Sequence, residues 1–341
     1  MQFWTALPAG FLLAACVWLG LVYGQVGNPT PSWVYHAYQL KQRLADAIRQ
    51  PKIVIVSGSN ALFGLNSSLI SQTYHRPVVN QGVNAAMLLP YILYRSQQAL
   101  KPGDIALLPL EYPLYLYDGA TNTQLIDQIL ARDPGFFWRL GWKERFNILW
   151  ETPLERIWQG YHPSDAQPPV TVLYGVHNID PATGDQRNTG KARLVGQELR
   201  EWEGHRDMPP HQYGKDDKPD NLAWRYLRDY IAWAKQHDVC LIFVPSAFHE
   251  RAFYHEDPIE RAFYTDLPGK VRALGATYVG SPFDYMYGMD DLFNTEYHLT
   301  DEGRQKHTAR LIRDLGPSLE PYCGETSPQH PDAQANPGDN R

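Results

Sequence analysis

Two residues of this chain have the types that acyl chemistry at a hydroxyl nucleophile needs. Ser59 stands in Ser57-Gly58-Ser59-Asn60, directly after the run Ile53-Val54-Ile55-Val56. A serine on a tight turn between a strand and a helix presents its Oγ to solvent, and the N–H groups beside it can bind a developing oxyanion. Gly58 permits the turn, and the dipole of the following helix favours negative charge. A serine hydroxyl is not ionised at neutral pH and needs a base. His298, in Phe293-Asn294-Thr295-Glu296-Tyr297-His298-Leu299-Thr300, is the candidate base. Asn294 and Glu296 are the candidates to orient it; an amide can hold an imidazole but stabilises its cation less than a carboxylate does. The segment Asn80-Gln81-Gly82-Val83-Asn84 offers Gly82 as a backbone donor and Asn84 as a side-chain donor to the oxyanion, and Asn60 is a further candidate contact. Each fragment alone is also ordinary turn chemistry, and one histidine among twelve is more often a surface or capping residue.

The elements that would have to bring these residues together follow from hydrophobic pattern. Continuous apolar runs at 53–56, 105–110 and 239–244, with shorter ones at 77–80 and 276–279, read as strands buried on both faces. Helical stretches separate them: Ser32 to about Gln50, Met87 to Leu100, Asn221 to His237, Pro258 to Leu274, and Thr300 to Leu315 with Thr300 as N-cap. Strands alternating with helices imply an α/β fold, a parallel sheet with right-handed crossovers and helices on both faces. Ligands in such sheets bind beyond the carboxyl ends of the strands. Ser59, Gly82 and Asn84 all fall at such exits, and His298 opens the last helix.

Taken together, the strand leading into Ser57-Gly58-Ser59-Asn60 and Ala61-Leu62-Phe63-Gly64, then Val78-Val79-Asn80-Gln81-Gly82, then Leu110-Glu111-Tyr112 and Tyr297-His298-Leu299-Thr300-Asp301-Glu302-Gly303-Arg304, resemble the SGNH/GDSL hydrolase superfamily. The resemblance is strongest to its membrane-anchored bacterial branch associated with envelope polysaccharides, and it covers roughly residues 50–115 and 238–315. It implies a three-layer α/β/α sandwich whose five-stranded sheet has the order 2-1-3-4-5. It also implies Ser59 as nucleophile, Gly82 as the second-block glycine and His298 as base. Three positions depart from the family pattern. Gly58 is followed directly by Ser59 where Gly-Asp-Ser is usual. The third block lacks the oxyanion asparagine. Thr295 stands where an Asp normally lies three residues before the histidine.

The resemblance therefore leads to the expectation of an ester hydrolase or acyl (acetyl) transferase acting on a cell-envelope polysaccharide or another acylated small molecule, with no metal or organic cofactor. The alternative is a non-catalytic scaffold of the same fold that binds polysaccharide or an envelope assembly partner through Trp138, Trp142, Trp150, Trp158 and Trp202. Those tryptophans lie in an expected insertion at about 112–218, with helical pieces at Thr121–Arg132 and Pro153–Tyr161, inside a domain spanning 32–320.

The ends of the chain are different. Residues 1–31 read as an N-terminal membrane anchor and linker, because the first forty residues hold no Asp, Glu, Lys or Arg and Phe3–Tyr23 is mostly apolar. An uncleaved signal anchor is preferred over a cleaved signal peptide and over a lipoprotein signal at Leu13-Ala14-Ala15-Cys16. Export of the body to the periplasm or cell surface follows from that anchor and from the resemblance. Residues 321–341 read as a disordered tail. A net charge of -6 excludes a broad nucleic-acid surface, which shows a basic excess. Of the three cysteines, Cys240 in its expected strand reads as a buried thiol in preference to a disulfide with Cys323.

Overall fold

Ile53, Val54 and Ile55 are completely buried, as a β-branched run in the middle of a parallel sheet must be. In the computed structural model of the protein, which describes residues 2–24, 33–162, 173–194, 199, 202–204, 208–219 and 221–323, they form β1 (Ile53–Ile55). On one side β1 pairs with β2 (Val78–Asn80), Val54 opposite Val79; on the other it pairs with β3 (Ile105–Leu108), Val54 opposite Ala106. β4 (Cys240–Phe243) joins β3 with Leu241 opposite Ala106. The far edge strand is β6 (Thr277–Tyr278), with Thr277 opposite Ile242. All four pairings are parallel and the order is β2-β1-β3-β4-β6, the arrangement expected for the five apolar runs. A separate parallel pair, β5 (Phe248–His249) with β7 (Met286–Tyr287), had no sequence signal; two residues are too few to show a period.

Helices separate the strands. α1 (Gln2–Tyr23) is followed by α2 (Trp33–Ala47), which leads into β1. α3 (Ser59–Gly64) and α4 (Ser67–Tyr74) connect β1 to β2, and α5 (Leu88–Ala99) connects β2 to β3. The expected insertion carries α6 (Thr123–Arg132), α7 (Pro134–Phe137), α8 (Trp142–Glu151) and α9 (Leu154–Tyr161). Its residues Leu125, Ile129, Phe137 and Ile148 share the hydrophobic core of the sheet. Farther along, the insertion runs back to the edge of the sheet, where the Asn80 amide donates to the Thr183 carbonyl at 2.8 Å. The helices Leu222–Gln236 and Pro258–Ala273 flank β4, and Asp301–Leu315 closes the fold. As expected, Thr300 caps this last helix, its hydroxyl accepting from the Gly303 amide.

At the amino ends of β1 and β3, Lys52 and Asp104 form a fully buried ion pair, and Asp104 also accepts from the Lys52 and Lys101 amides. Satisfying the carboxylate with several donors is what makes such burial tolerable. Nearby, two sequence expectations are corrected. Cys240 is not a thiol: it is bonded to Cys323, 83 residues away. The segment expected to begin a disordered tail at 321 is accordingly ordered as far as Cys323, with a 3-10 turn at Glu320–Tyr322; residues 324–341 lie outside the described residues.

Among the described residues, no helix is long and apolar enough to cross a membrane. α1 has 22 residues without a charge, and the side chains of its residues 2–6 are outside the description. The linker expected at 27–31 is outside it as well.

Candidate functional site

β1 ends at Ile55, and four residues later Ser59 begins α3. The turn between them is packed against backbone. A Cβ on Gly58 would lie 2.6 Å from the backbone of Ala85, and one on Gly82 would lie 2.6 Å from the Gly58 carbonyl oxygen. Both glycines are therefore required by close approach of the β1 and β2 exits to each other. Gly82 is not an oxyanion donor as it stands, because its amide donates to Asn80 Oδ1 at 2.9 Å. Its carbonyl is held by the ammonium of Lys41, which is completely buried. Burial pushes the Lys41 amine down to about 7, against the opposing charge of Asp185.

The exit of β3 supplies the residue that the sequence reading left without a role. Glu111 is buried beside the turn. Its carboxylate accepts from the Gly58 amide at 3.0 Å and from the Asn60 amide at 2.9 Å, the two N–H groups that flank Ser59. Ser57 Oγ lies 2.7 Å from Glu111 Oε2, 2.6 Å from the Pro109 carbonyl and 2.7 Å from Asn60 Oδ1. That is three acceptors around a hydroxyl with one proton. A proton on Glu111 would satisfy one of these contacts, and burial pushes its carboxyl up, against the pull of the Asn60, Ser57 and Gly58 hydrogen bonds. The available signal was a single acidic residue at the end of an otherwise apolar strand.

Asn60 is likewise structural. It is 2 % exposed, and its amide nitrogen donates to Pro109 O at 2.7 Å and to Ser246 Oγ at 2.6 Å. It ties the β1, β3 and β4 exits together. The Ser59 amide, between the two N–H groups that Glu111 engages, has no acceptor among the described residues.

His298 reaches the site from the loop before the last helix. That loop is closed by the Phe293 amide on the His298 carbonyl at 2.7 Å and by a bridge between Leu292 and Leu299. The imidazole stacks on Phe63 of α3, ring centroids 4.0 Å apart. Nδ1 lies 2.7 Å from Asn294 Oδ1. An amide oxygen is an acceptor only, so the ring proton sits on Nδ1 and Nε2 is left as the basic nitrogen. Asn294 is itself oriented by donating to Tyr174 Oη at 2.9 Å. Burial pushes the His298 imidazole down to about 3, so it is neutral at physiological pH.

Glu296, the other candidate to orient His298, is turned away. It accepts from His211 Nε2 at 2.6 Å and from an Arg251 guanidinium nitrogen at 3.1 Å. Burial pushes its carboxyl up, but the hydrogen bonds of His211 and His249 and the charges of His211 and Arg251 outweigh that and hold it at about 2.

Ser59 and His298 line one cavity of about 440 Å³, together with Asn84, Glu111, Gln124 and the aromatic residues Trp33, Tyr174 and Tyr297. No hydrogen bond joins Ser59 to His298 among the described residues. Asn84 Oδ1 is fixed by the Ala86 amide at 2.9 Å, which directs Nδ2 to Gln124 Oε1 at 2.8 Å within the cavity wall. An amide nitrogen carries two N–H groups, so Asn84 Nδ2 keeps a second one beside this contact, in the same cavity as Ser59. Tyr174 comes from the insertion, where no sequence signal marked it.

Of the tryptophans expected as contact residues, Trp202 is 4 % exposed and belongs to the core, whereas Trp138, Trp142, Trp150 and Trp158 are exposed. Among the described residues, no group of three or more His, Cys, Asp and Glu side chains is placed to hold a metal ion. Searches of protein-family models, of curated proteins and of solved structures find no match to this chain.

Proposed function

We propose that the protein is an SGNH-like ester hydrolase or acyl transferase, with an acylated cell-envelope polysaccharide as substrate and a three-layer α/β/α body outside the cytoplasm. The observation that carries the reading is the meeting of Ser59 and His298 in one cavity, with the imidazole fixed by Asn294 so that Nε2 is the free base. In the first step Ser59 Oγ attacks the acyl carbonyl while its proton passes to His298 Nε2. The tetrahedral oxyanion takes hydrogen bonds from the Ser59 amide and from Asn84 Nδ2. Collapse expels the alcohol, which takes the proton from His298 and leaves an acyl-serine. Water or a sugar hydroxyl, deprotonated by the same nitrogen, then releases the acyl group and regenerates Ser59. Trp33, Tyr174 and Tyr297 on the cavity wall offer the flat apolar faces against which sugar rings pack. Two further features support a location outside the cytoplasm: the uncharged α1 and the disulfide, a bond that persists in oxidising compartments.

The other reading, a non-catalytic scaffold, is favoured by one observation: among the described residues no carboxylate is hydrogen-bonded to His298, and Glu296 is engaged elsewhere. A serine-directed fluorophosphonate and p-nitrophenyl acetate separate the two. The wild-type protein is expected to be labelled and active, and Ser59→Ala to lose both signals. His298→Ala should lose about 10²–10⁴-fold in rate, the usual cost of removing a general base. Equal labelling and rate in wild type and Ser59→Ala would overturn the catalytic reading in favour of the scaffold.

A further inference from the structure

The consecutive helices α8 and α9 carry a surface that the cavity chemistry does not use. On α8, Trp142, Phe146 and Trp150 recur every four residues, a single stripe of a helix. They are 82 %, 57 % and 77 % exposed. On α9, Leu154 and Trp158 continue the stripe, and Trp138 precedes it, all three exposed. The opposite faces of the same helices are the packed ones, with Glu144 and Ile148 on α8 and Arg156 and Ile157 on α9 buried. Both helices are therefore amphipathic with the large apolar side chains turned outward.

What lies beside this surface indicates its occupant. Trp18 Nε1 of α1 donates to the Leu149 carbonyl of α8 at 2.8 Å, and Tyr161 Oη of α9 lies 3.0 Å from the Leu21 carbonyl. α1 has no charged residue, and its exposed Leu7, Leu12 and Leu13 point in three directions around the axis at 100° per residue. A groove in a partner protein covers one stripe of a helix; a helix apolar all round suits lipid. Indole and phenol rings favour the headgroup zone, where an apolar body and a polar N–H or O–H are both accommodated.

We propose that the α8–α9 face lies in the plane of the bilayer interface, with its tryptophans among the lipid headgroups and upper acyl chains, beside the point where α1 enters the lipid. The proposal rests on the reading of α1 as the membrane anchor. The test uses the full chain in phosphatidylcholine vesicles whose lipids carry bromine near the glycerol end of the acyl chains. The wild type is compared with the variant Trp142→Phe/Trp150→Phe/Trp158→Phe, which keeps the apolar bulk of the face. Both should co-float with the vesicles, and the variant should lose the share of the bromine-quenched indole emission that these three residues supply, keeping that of Trp138 and of Trp18 on α1. Trp202→Phe, at a buried position, should leave that quenched part unchanged. If the triple variant floats but its quenched emission equals that of the wild type, the face does not touch lipid and the proposal fails while the anchor stands. If a second copy is found crosslinked across Trp150 in the vesicles and quenching is unaffected, that copy is the occupant, which also overturns it. If the wild type does not float, the anchor and the interfacial face fall together.

Discussion

At the scale of single residues, the site is governed by the partner of His298. Asn294 fixes the ring through Nδ1 but brings a dipole where a carboxylate would bring a charge. Desolvation is thus unopposed and holds the imidazole down at about 3. Such a ring is neutral, and so able to accept a proton, throughout the physiological pH range, but it gains little when it takes one up. Asn294→Asp is expected to raise the esterase rate, because the new carboxylate stabilises the imidazolium formed in the transition state. The same change favours the protonated ring in the free protein, so the acid limb of the pH–rate profile should move to higher pH. Profiles of both proteins check the two effects together: from pH 4 to 9 the wild type should show no acid limb from this ring, held at about 3, whereas one should enter that range in Asn294→Asp; a variant profile as flat as that of the wild type would mean that position 294 does not act through His298. The meeting of Ser59 and His298 in one cavity was legible because a serine and a histidine each stood at a turn beside an element with a clear period. Glu111 carries no local signal of a role, since only the folded chain brings its carboxylate to the amides on either side of Ser59.

Among the elements, the five strands of the main sheet were legible because burial on both faces demands continuous apolar runs, and 53–56 and 239–244 have no other simple reading. The β5–β7 pair and the return of 179–187 to the β2 edge were not, since both depend on contacts between segments far apart in sequence. The disulfide belongs with these. Cys240 stands in β4 and Cys323 follows the last 3-10 turn, and no local pattern pairs them. The bond ties the strand to the end of the described chain and closes a loop of more than eighty residues. Cross-links of that span typically contribute about 2–4 kcal/mol. Cys323→Ser is therefore expected to lower the midpoint of thermal unfolding and to expose the segment after Leu319 to proteases, while leaving fluorophosphonate labelling of Ser59 intact at room temperature. Differential scanning calorimetry and limited proteolysis check this; unchanged melting in the variant would mean that the bond adds no stability.

For the molecule as a whole, acidity should be a weakness. Burial holds two imidazoles, His298 and His307, down at about 3, whereas the unfolded chain titrates histidine near 6.5. Between those values the unfolded state binds more protons than the folded one. Each histidine therefore contributes stability that is complete above about pH 6.5 and is lost as pH falls towards 3, at about 1.4 kcal/mol per pH unit. Glu296, held at about 2, adds its own loss only at lower pH. Unfolding midpoints in denaturant should fall steeply from pH 6.5 to 4, and His307→Leu should flatten that slope; equal slopes in wild type and variant would discount His307. A different consequence follows from the short stretch between Gly24, at the end of α1, and Trp33, on the cavity wall. Nine residue steps cannot span more than about 30 Å even when fully extended. If α1 is held in lipid, as proposed, the cavity would be leashed within a thin layer over the bilayer, and its search for a substrate would be two-dimensional. Under the proposed function, a long polymer would be modified only where it passes through that layer, and segments already beyond it would keep whatever pattern they received there.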